Sequence, residues 1–343
     1  MNLIERLIDK LKQHPKRFIF TDGNDARVLQ AARQVVSRGM GSPMVIGDRS
    51  LIKTMAARLD IQTKGIRIIE PSRAADLETF AGDLKQLPRF SELTDEQAAQ
   101  RVLEPNVFAA LMTRRNQAEA LLSGARERTS HSLRPLFQII GRQQDVSSAS
   151  ALLILELEAK QVGIEGALFM GDCGVIPEPN AQQLADIAVT TAQLTHHLTG
   201  AIPKVAMLSY TTHGNPERPQ VERILEATRL AKNKAASIDL EMEIEGDLQV
   251  DAALDQATAI IKGIQSNPVA GAANVLIFPD LNSGNIASKL VQILTGANKF
   301  GQIIMGLNCP VVEISRGSSA HDILGAAAIA GCQAIDRGLI RDK

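Results

Sequence analysis

The segment Val311-Val312-Glu313-Ile314-Ser315-Arg316-Gly317-Ser318-Ser319-Ala320-His321-Asp322-Ile323 carries the densest set of groups able to do chemistry. An apolar strand ends, a tight Ser-Arg-Gly-Ser-Ser turn follows, and an Ala-rich helix begins. That sequence of elements aims unpaired N–H groups and the positive end of a helix at whatever sits above the turn. Arg316 adds a forked cation suited to phosphate, so the segment predicts a site for a small oxyanion. A second reading requires no ligand. Ser319 and Asp322 have the spacing of a capping box, in which both side chains satisfy only their own helix terminus. The segment alone leaves both readings open.

Other polar turns follow predicted strands. Asn274 to Phe278 reads as a buried strand, and Pro279-Asp280-Leu281-Asn282-Ser283-Gly284-Asn285 then places small polar groups before a helix. Open α/β sheets bind ligands at such carboxyl strand ends, so Asn282 and Gly284 become candidates, although turn and cap chemistry accounts for them as well. Leu121-Leu122-Ser123-Gly124-Ala125 leads into Arg126, Arg128 and Arg134, three cations that could collect a phosphate or simply line a solvated helix face. Asp172-Cys173 and the run Ser209 to Gly214 also follow strands, so several polar turns can converge on one cleft.

Other chemistries are missing. The chain has no Gly-x-Gly-x-x-Gly turn, no phosphate-binding loop ending in Gly-Lys-Ser/Thr and no Gly-x-Ser-x-Gly elbow. His196 and His197 are adjacent and cannot present both rings to one metal from one helical face, so no metal is assigned. Cys173, Cys309 and Cys332 are far apart and odd in number, which fits a reducing cytoplasm rather than a disulfide framework.

The elements that must position these turns are short apolar runs alternating with helical stretches, the pattern of parallel α/β architecture. At 343 residues the chain exceeds the roughly 250 to 300 at which single cores stop growing, so two domains sharing a cleft are expected. The polar run Arg142 to Ser148 is the predicted crossing and Gly296 to Gly301 the return. The first domain is then discontinuous, 1–145 plus 301–343, and the second spans 146–300. Thirty-seven Lys and Arg against 38 Asp and Glu give a formal charge of -1, which excludes a field for nucleic acid or an anionic membrane. Nine Phe, one Tyr and no Trp count against base stacking and membrane-interface belts. Leu3, Ile4, Leu7, Ile8 and Leu11 make the start an amphipathic helix rather than a signal peptide. No apolar run approaches the ~20 residues needed to span a bilayer.

Taken together, the motifs resemble one family. Ile314-Ser315-Arg316-Gly317-Ser318-Ser319-Ala320-His321-Asp322-Ile323 is similar to the Leu-Ser-Arg-Gly-Cys-Ser-x-x-Asp-Ile signature of the phosphate acetyltransferase and butyryltransferase family. Asp25 to Ala32, Leu133-Arg134-Pro135, Val205 to Tyr210, Glu245 to Ala253, Pro268 to Gly271 and Asn274 to Leu290 resemble it collinearly over nearly the whole chain. The resemblance implies two α/β domains with a cleft, an isocitrate/isopropylmalate dehydrogenase-like fold and a homodimer. It implies interconversion of acetyl-CoA plus phosphate with acetyl phosphate plus CoA, by direct transfer in a ternary complex. Coenzyme A enters as substrate, with no tightly bound cofactor. It further implies Asp322 as general base, Arg316 as phosphate ligand, Ser315 as hydrogen-bond donor to the acyl oxygen, and Arg134 and Arg27 as further anion contacts. Ser123, Gly124, Ser318, Asn282 and Gly284 complete the implied substrate-binding set.

The chain departs from the family pattern at several positions. Ser318 replaces a Cys, which argues against an acyl-cysteine step. Glu127 falls where a His is expected, where a carboxylate would repel phosphate unless Arg128 compensates. His213 replaces a Lys, Met170-Gly171-Asp172 stands for Phe-Ala-Asp, and Pro88 stands where an Arg is expected, with Arg89 beside it. These changes leave two alternatives: a propionyl- or butyryl-specific phosphate acyltransferase, and a catalytically weak relative that binds acetyl-CoA or acetyl phosphate as sensor or subunit.

Overall fold

A computed structural model describes residues 2–127 and 129–335. Arg128 and the end of the first domain, 336–343, lie outside the described residues. The chain forms two compact units, one built from Leu3–Gln143 and the chain from Leu307 onward, the other from Gln144–Gly306.

The first unit opens with α1 (Leu3–Gln13), β1 (Lys16–Phe20), α2 (Ala26–Ser37), β2 (Gly41–Ile46), α3 (Arg49–Arg58) and β3 (Arg67–Ile69). It continues through α4 (Leu77–Lys85), α5 (Asp95–Val102), α6 (Pro105–Arg114), β4 (Ala120–Ser123) and α7 (Thr129–Ile140). The second unit runs β5 (Ser150–Glu156), β6 (Ala167–Gly171), α8 (Ala181–Thr199), β7 (Lys204–Leu208), α9 (Pro219–Ser237) and β8 (Glu243–Leu248). It closes with α10 (Val250–Leu254), α11 (Gln256–Ile261), β9 (Val275–Ile277), α12 (Leu281–Thr295) and β10 (Asn298–Met305). The chain then returns to the first unit with β11 (Val311–Glu313) and α13 (Ala320–Gln333).

In the first unit the strands run β3-β2-β1-β4-β11, every neighbouring pair parallel. Chain order moves outward from β1 to β2 and β3, then restarts on the other side with β4. The crevice above the carboxyl ends of β1 and β4 is therefore a topological switch point, where loops diverge and leave room for a ligand. Helix α13 packs on β1, β4 and β11 and against α1 and α2. Its buried residues include Gly325, Ala326, Ala327, Ala328, Ala330 and Gly331, small enough for close approach. The apolar stripe of α1, Leu3, Ile4, Leu7, Ile8 and Leu11, is wholly buried, each side chain contributing about 1.5–3 kcal/mol of burial free energy.

The second unit is mixed. Strands β6, β9, β7 and β8 pair in parallel, while β5 pairs antiparallel with both β6 and β10. Residues 298–305, where the sequence predicts a return crossing and the resumption of the first domain, form β10 in the second unit. Gly301 has a φ of +115° at a register shift between Phe300 and Ile303, so this glycine serves a bulge within a strand rather than a linker. The helical stretch from Val250 to Ile261 is broken at Asp255. That residue is extended (φ -115°, ψ 115°) and accepts from the Thr258 N–H, ending α10 while capping α11.

Candidate active site

The β11–α13 turn is built by its own caps. Ser319 is the N-cap of α13: its hydroxyl accepts from the Asp322 N–H at 3.1 Å, and Asp322 Oδ2 accepts from the Ser319 N–H at 2.7 Å and its hydroxyl at 2.8 Å. The capping box predicted from the spacing is present. All three hydrogen bonds tie Asp322 to the start of its helix, in the first turn, where the helix dipole favours a carboxylate. Upstream, the Ser318 N–H donates to the Ser315 carbonyl at 2.9 Å, closing the turn. Ser315 is half-buried, Arg316 and Gly317 are exposed, and Ser318 is buried. The N–H groups of Arg316 and Ala320 have no acceptor among the described residues.

The loop after β4 lies beside this turn. Strand β4 is buried throughout and pairs with β11 in register from Leu121↔Val311 to Ser123↔Glu313, so their carboxyl ends emerge together. Gly124 follows with a φ of +105°, and a Cβ there would meet the Ile314 carbonyl at 2.9 Å, so only glycine lets the two chains leave so close together. Asp22, just past β1, holds this loop: its Oδ2 accepts from the N–H groups of Gly124 at 3.1 Å and Ala125 at 3.2 Å.

Arg27 ties both loops to α2. Its Nε and Nη2 donate to Asp25, the α2 N-cap, at 3.0 and 2.8 Å. Nη1 donates to the carbonyls of Arg316 at 2.6 Å and Ser318 at 2.9 Å, and Nη2 also donates to the Ala125 carbonyl at 2.9 Å. A guanidinium has five N–H groups, and these five bonds use them all. The expectation of Arg27 as an anion contact therefore meets a side chain with no N–H left to offer. Burial pushes the Asp25 carboxyl up, but the hydrogen bonds and charge of Arg27 outweigh it and hold the pKa below the ordinary value.

Ser123 is likewise committed. It is fully buried, donates to Asn106 Oδ1 at 2.8 Å and sits 2.7 Å from the Ser132 hydroxyl. Asn106 Nδ2 in turn donates to Glu127 Oε2 at 3.0 Å, so the carboxylate that replaces the expected His has a neutral partner. Arg126, Arg134 and Arg316 are exposed and carry no side-chain hydrogen bond or ion pair among the described residues. Asp22, Asn106 and Ser132 escaped the sequence reading. Their partners lie far along the chain, although a polar residue two positions past a strand, as Asp22 is, was a usable signal. A cavity of about 350 Å³ opens between Asp22, Asn24, Gly47, Asn106, Arg126 and Glu127.

Matching the chain against known families assigns residues 2–331 to the phosphate acetyl/butaryl transferase profile. The chain belongs to that family. The phosphate acetyltransferase of Acetivibrio thermocellus is 36% identical over 334 residues, covering 97% of this chain and 98% of that protein. That of Thermoanaerobacterium thermosaccharolyticum is 37% identical over 334 residues, covering 97% and 100%. Among solved structures, a phosphotransacetylase from Streptococcus pyogenes superposes with a TM-score of 0.87 at 34% identity, covering 97% of this chain and 98% of that one. The chain is thus an acyltransferase with the α/β fold of phosphotransacetylases.

Asn282 and Gly284 lie in the second unit, in the first turn of α12. Asp280 caps that helix by accepting from the Ser283 N–H at 2.8 Å. Asn282 is exposed, and Gly284 is buried against the Asp172 carbonyl and Cys173. No group of three or more His, Cys, Asp or Glu side chains among the described residues is arranged to hold a metal ion. No described helix is long and apolar enough to cross a membrane.

Proposed function

We propose that this protein interconverts acetyl-CoA plus phosphate with acetyl phosphate plus CoA by direct transfer in a ternary complex. The observation that carries the reading is the β11–α13 corner of a phosphate acyltransferase family member. There the Arg316 side chain and the N–H groups of Arg316 and Ala320 have no partner among the described residues, in a turn leading into the helix whose first turn holds Asp322. In the direction of thioester synthesis, Asp322 takes the proton of the coenzyme A thiol as sulfur attacks the acetyl carbonyl. The C–S bond forms, the C–O bond to phosphorus breaks, and phosphate leaves toward Arg316. Ser315 donates to the carbonyl oxygen as it gains charge, and Arg134 supplies a second cation for the anionic substrates. Ser318 lines the same turn. Ser123 and Gly124 act by shaping the loop that meets it, and Asn282 and Gly284 offer a helix terminus in the second unit.

Direct transfer is supported by the cysteines. Cys173, Cys309 and Cys332 are all buried, so no thiol is presented as an acyl acceptor, and Ser318 stands where the family pattern has a Cys. For Cys173, burial and the nearby Asp172 charge push the thiol pKa far up. Coenzyme A enters only as substrate, and a cytoplasmic enzyme is in keeping with three cysteines that form no disulfide. A homodimer is supported by α12, where Ile286, Leu290, Ile293 and Leu294 form an apolar stripe 54–78% exposed. A formal charge of -1 sets little repulsion against a second copy covering it.

The test is phosphate-dependent release of CoA from acetyl-CoA, the reverse reaction from acetyl phosphate, and a panel of propionyl- and butyryl-CoA. Turnover with acetyl-CoA, abolished by Asp322→Asn, supports the reading. Glu127 beside the anion-binding turn favours one competing reading, a relative that binds these ligands without turning them over. Wild-type protein that binds CoA yet releases none from acetyl-CoA would establish that instead.

A further inference from the structure

We infer that Arg27 is a positioning residue for the transfer reaction, acting through Arg316 and the turn around it rather than on phosphate. The inference rests on the proposed role of that turn. Its five N–H groups go to Asp25 and to the carbonyls of Ala125, Arg316 and Ser318, which joins three segments that meet nowhere else in sequence. Binding the carbonyls has a directional consequence. Holding those oxygens fixes the peptide planes that also carry the N–H groups of Arg126, Gly317 and Ser319, and the cation compensates for the carbonyl dipoles aimed at it. Arg316 thus hangs from a turn pinned at its own carbonyl and at the carbonyl two residues later. The bond to the Ala125 carbonyl fixes that turn relative to the loop carrying Gly124 and Arg126. Asp25 completes the arrangement, taking Nε and one Nη2 bond and balancing the charge.

A positioning role and direct phosphate contact predict different kinetics. If Arg27 orients the turn, Arg27→Lys retains the charge but cannot span the four acceptor residues in a fork, and kcat falls on the order of tenfold or more. The KM for phosphate then moves less than threefold or so. Pairing Arg27→Ala with Arg316→Ala should cost no more than Arg316→Ala alone, because a misplaced Arg316 and a missing one are equivalent. Guanidinium ion added to Arg27→Ala should restore part of kcat. Amide hydrogen exchange should quicken in Arg27→Lys over 121–126 and 314–319 and stay unchanged over β2 and α3. A rise in phosphate KM with kcat intact, or additive losses in the double variant, overturns the inference and makes Arg27 a ligand. Unchanged exchange over the two loops also overturns it. The exchange measurement stands whether or not the wild-type protein turns over, so a failed assay counts against the proposed reaction while exchange still decides the role of Arg27. Should Arg27→Ala fail to fold, Arg27→Lys and Asp25→Asn carry the same comparison.

Discussion

Two strand-end corners in this protein, the β11–α13 turn and the loop after β6, are held by groups of opposite charge, and the difference decides which N–H groups remain unclaimed. In the first unit the β11–α13 turn is gripped by the Arg27 guanidinium through its carbonyls, and the N–H groups of Arg316 and Ala320 remain unclaimed. In the second unit the loop after β6 is gripped by the Asp172 carboxylate through its N–H groups. It accepts from Gly174 at 2.8 Å, Val175 at 3.1 Å and Ile176 at 2.8 Å, and from Ala151 on β5 at 3.1 Å. Asp247, after Gly246 in β8, does the same for Gly214 at 3.1 Å and for the Thr211 hydroxyl. A carboxylate at the centre of a loop has already taken the place an anionic ligand would fill. A guanidinium holding the carbonyls leaves that place free.

The sharpest way to break the comparison is to neutralise the carboxylate that the open corner is proposed to use. Asp322→Asn keeps an oxygen able to accept from Ser319, so the fold should survive with little change in thermal midpoint. Loss of the proposed general base should lower kcat about 10²- to 10⁴-fold in the transacetylase assay. Next in size is Asp172→Asn, which sets an amide NH₂ against an N–H that needs an acceptor. In denaturant titration it should cost about 1–3 kcal/mol. Equal stability would show that the second unit does not depend on this carboxylate as an acceptor. Ser319→Ala removes the N-cap of α13 and should cost about 1 kcal/mol. It should also loosen Asp322, so kcat should fall further than stability alone explains.

The smallest expected effect is the most diagnostic, because the two carboxylates titrate in opposite senses. Asp25 has a folded pKa below its ordinary 3.8. Its contribution is fully present above that value and is lost as pH falls through the lower folded pKa. Asp172 has a folded pKa above its ordinary 3.8, since burial outweighs its four N–H partners. Its contribution is present below 3.8 and is lost as pH rises through the folded value. Stability measured against pH should therefore lose an acid-side fall in Asp25→Asn and an opposite slope in Asp172→Asn. Slopes of the same sign would remove the contrast between the two corners.

Much of the architecture was legible in local pattern. The alternation of strands and helices, the α1 stripe and the α13 capping box all depend on residues within a few positions of one another, which sequence spacing reports directly. The break at Asp255 and the bulge at Gly301 were not legible. A polar residue at a helical phase and a glycine near a predicted linker have the same appearance whether they cap, bulge or connect. Ser123 shows the same limit at the site: its position after a strand was evident, but its commitment to Asn106 and Ser132 was not.

The sequence by itself determined the family, the oxyanion-suited turn and the helix whose first turn holds Asp322, because motif order and capping are one-dimensional properties. Only the tertiary structure decided what the arginines do. Arg27, Arg134 and Arg316 are equivalent cations on paper, yet Arg27 spends every N–H on partners as distant as 291 positions along the chain while the other two stay exposed. The reason is parallel pairing at a switch point. It brings the ends of β1, β4 and β11 together from remote parts of the sequence, and Arg27 is used up in holding the loops that follow them.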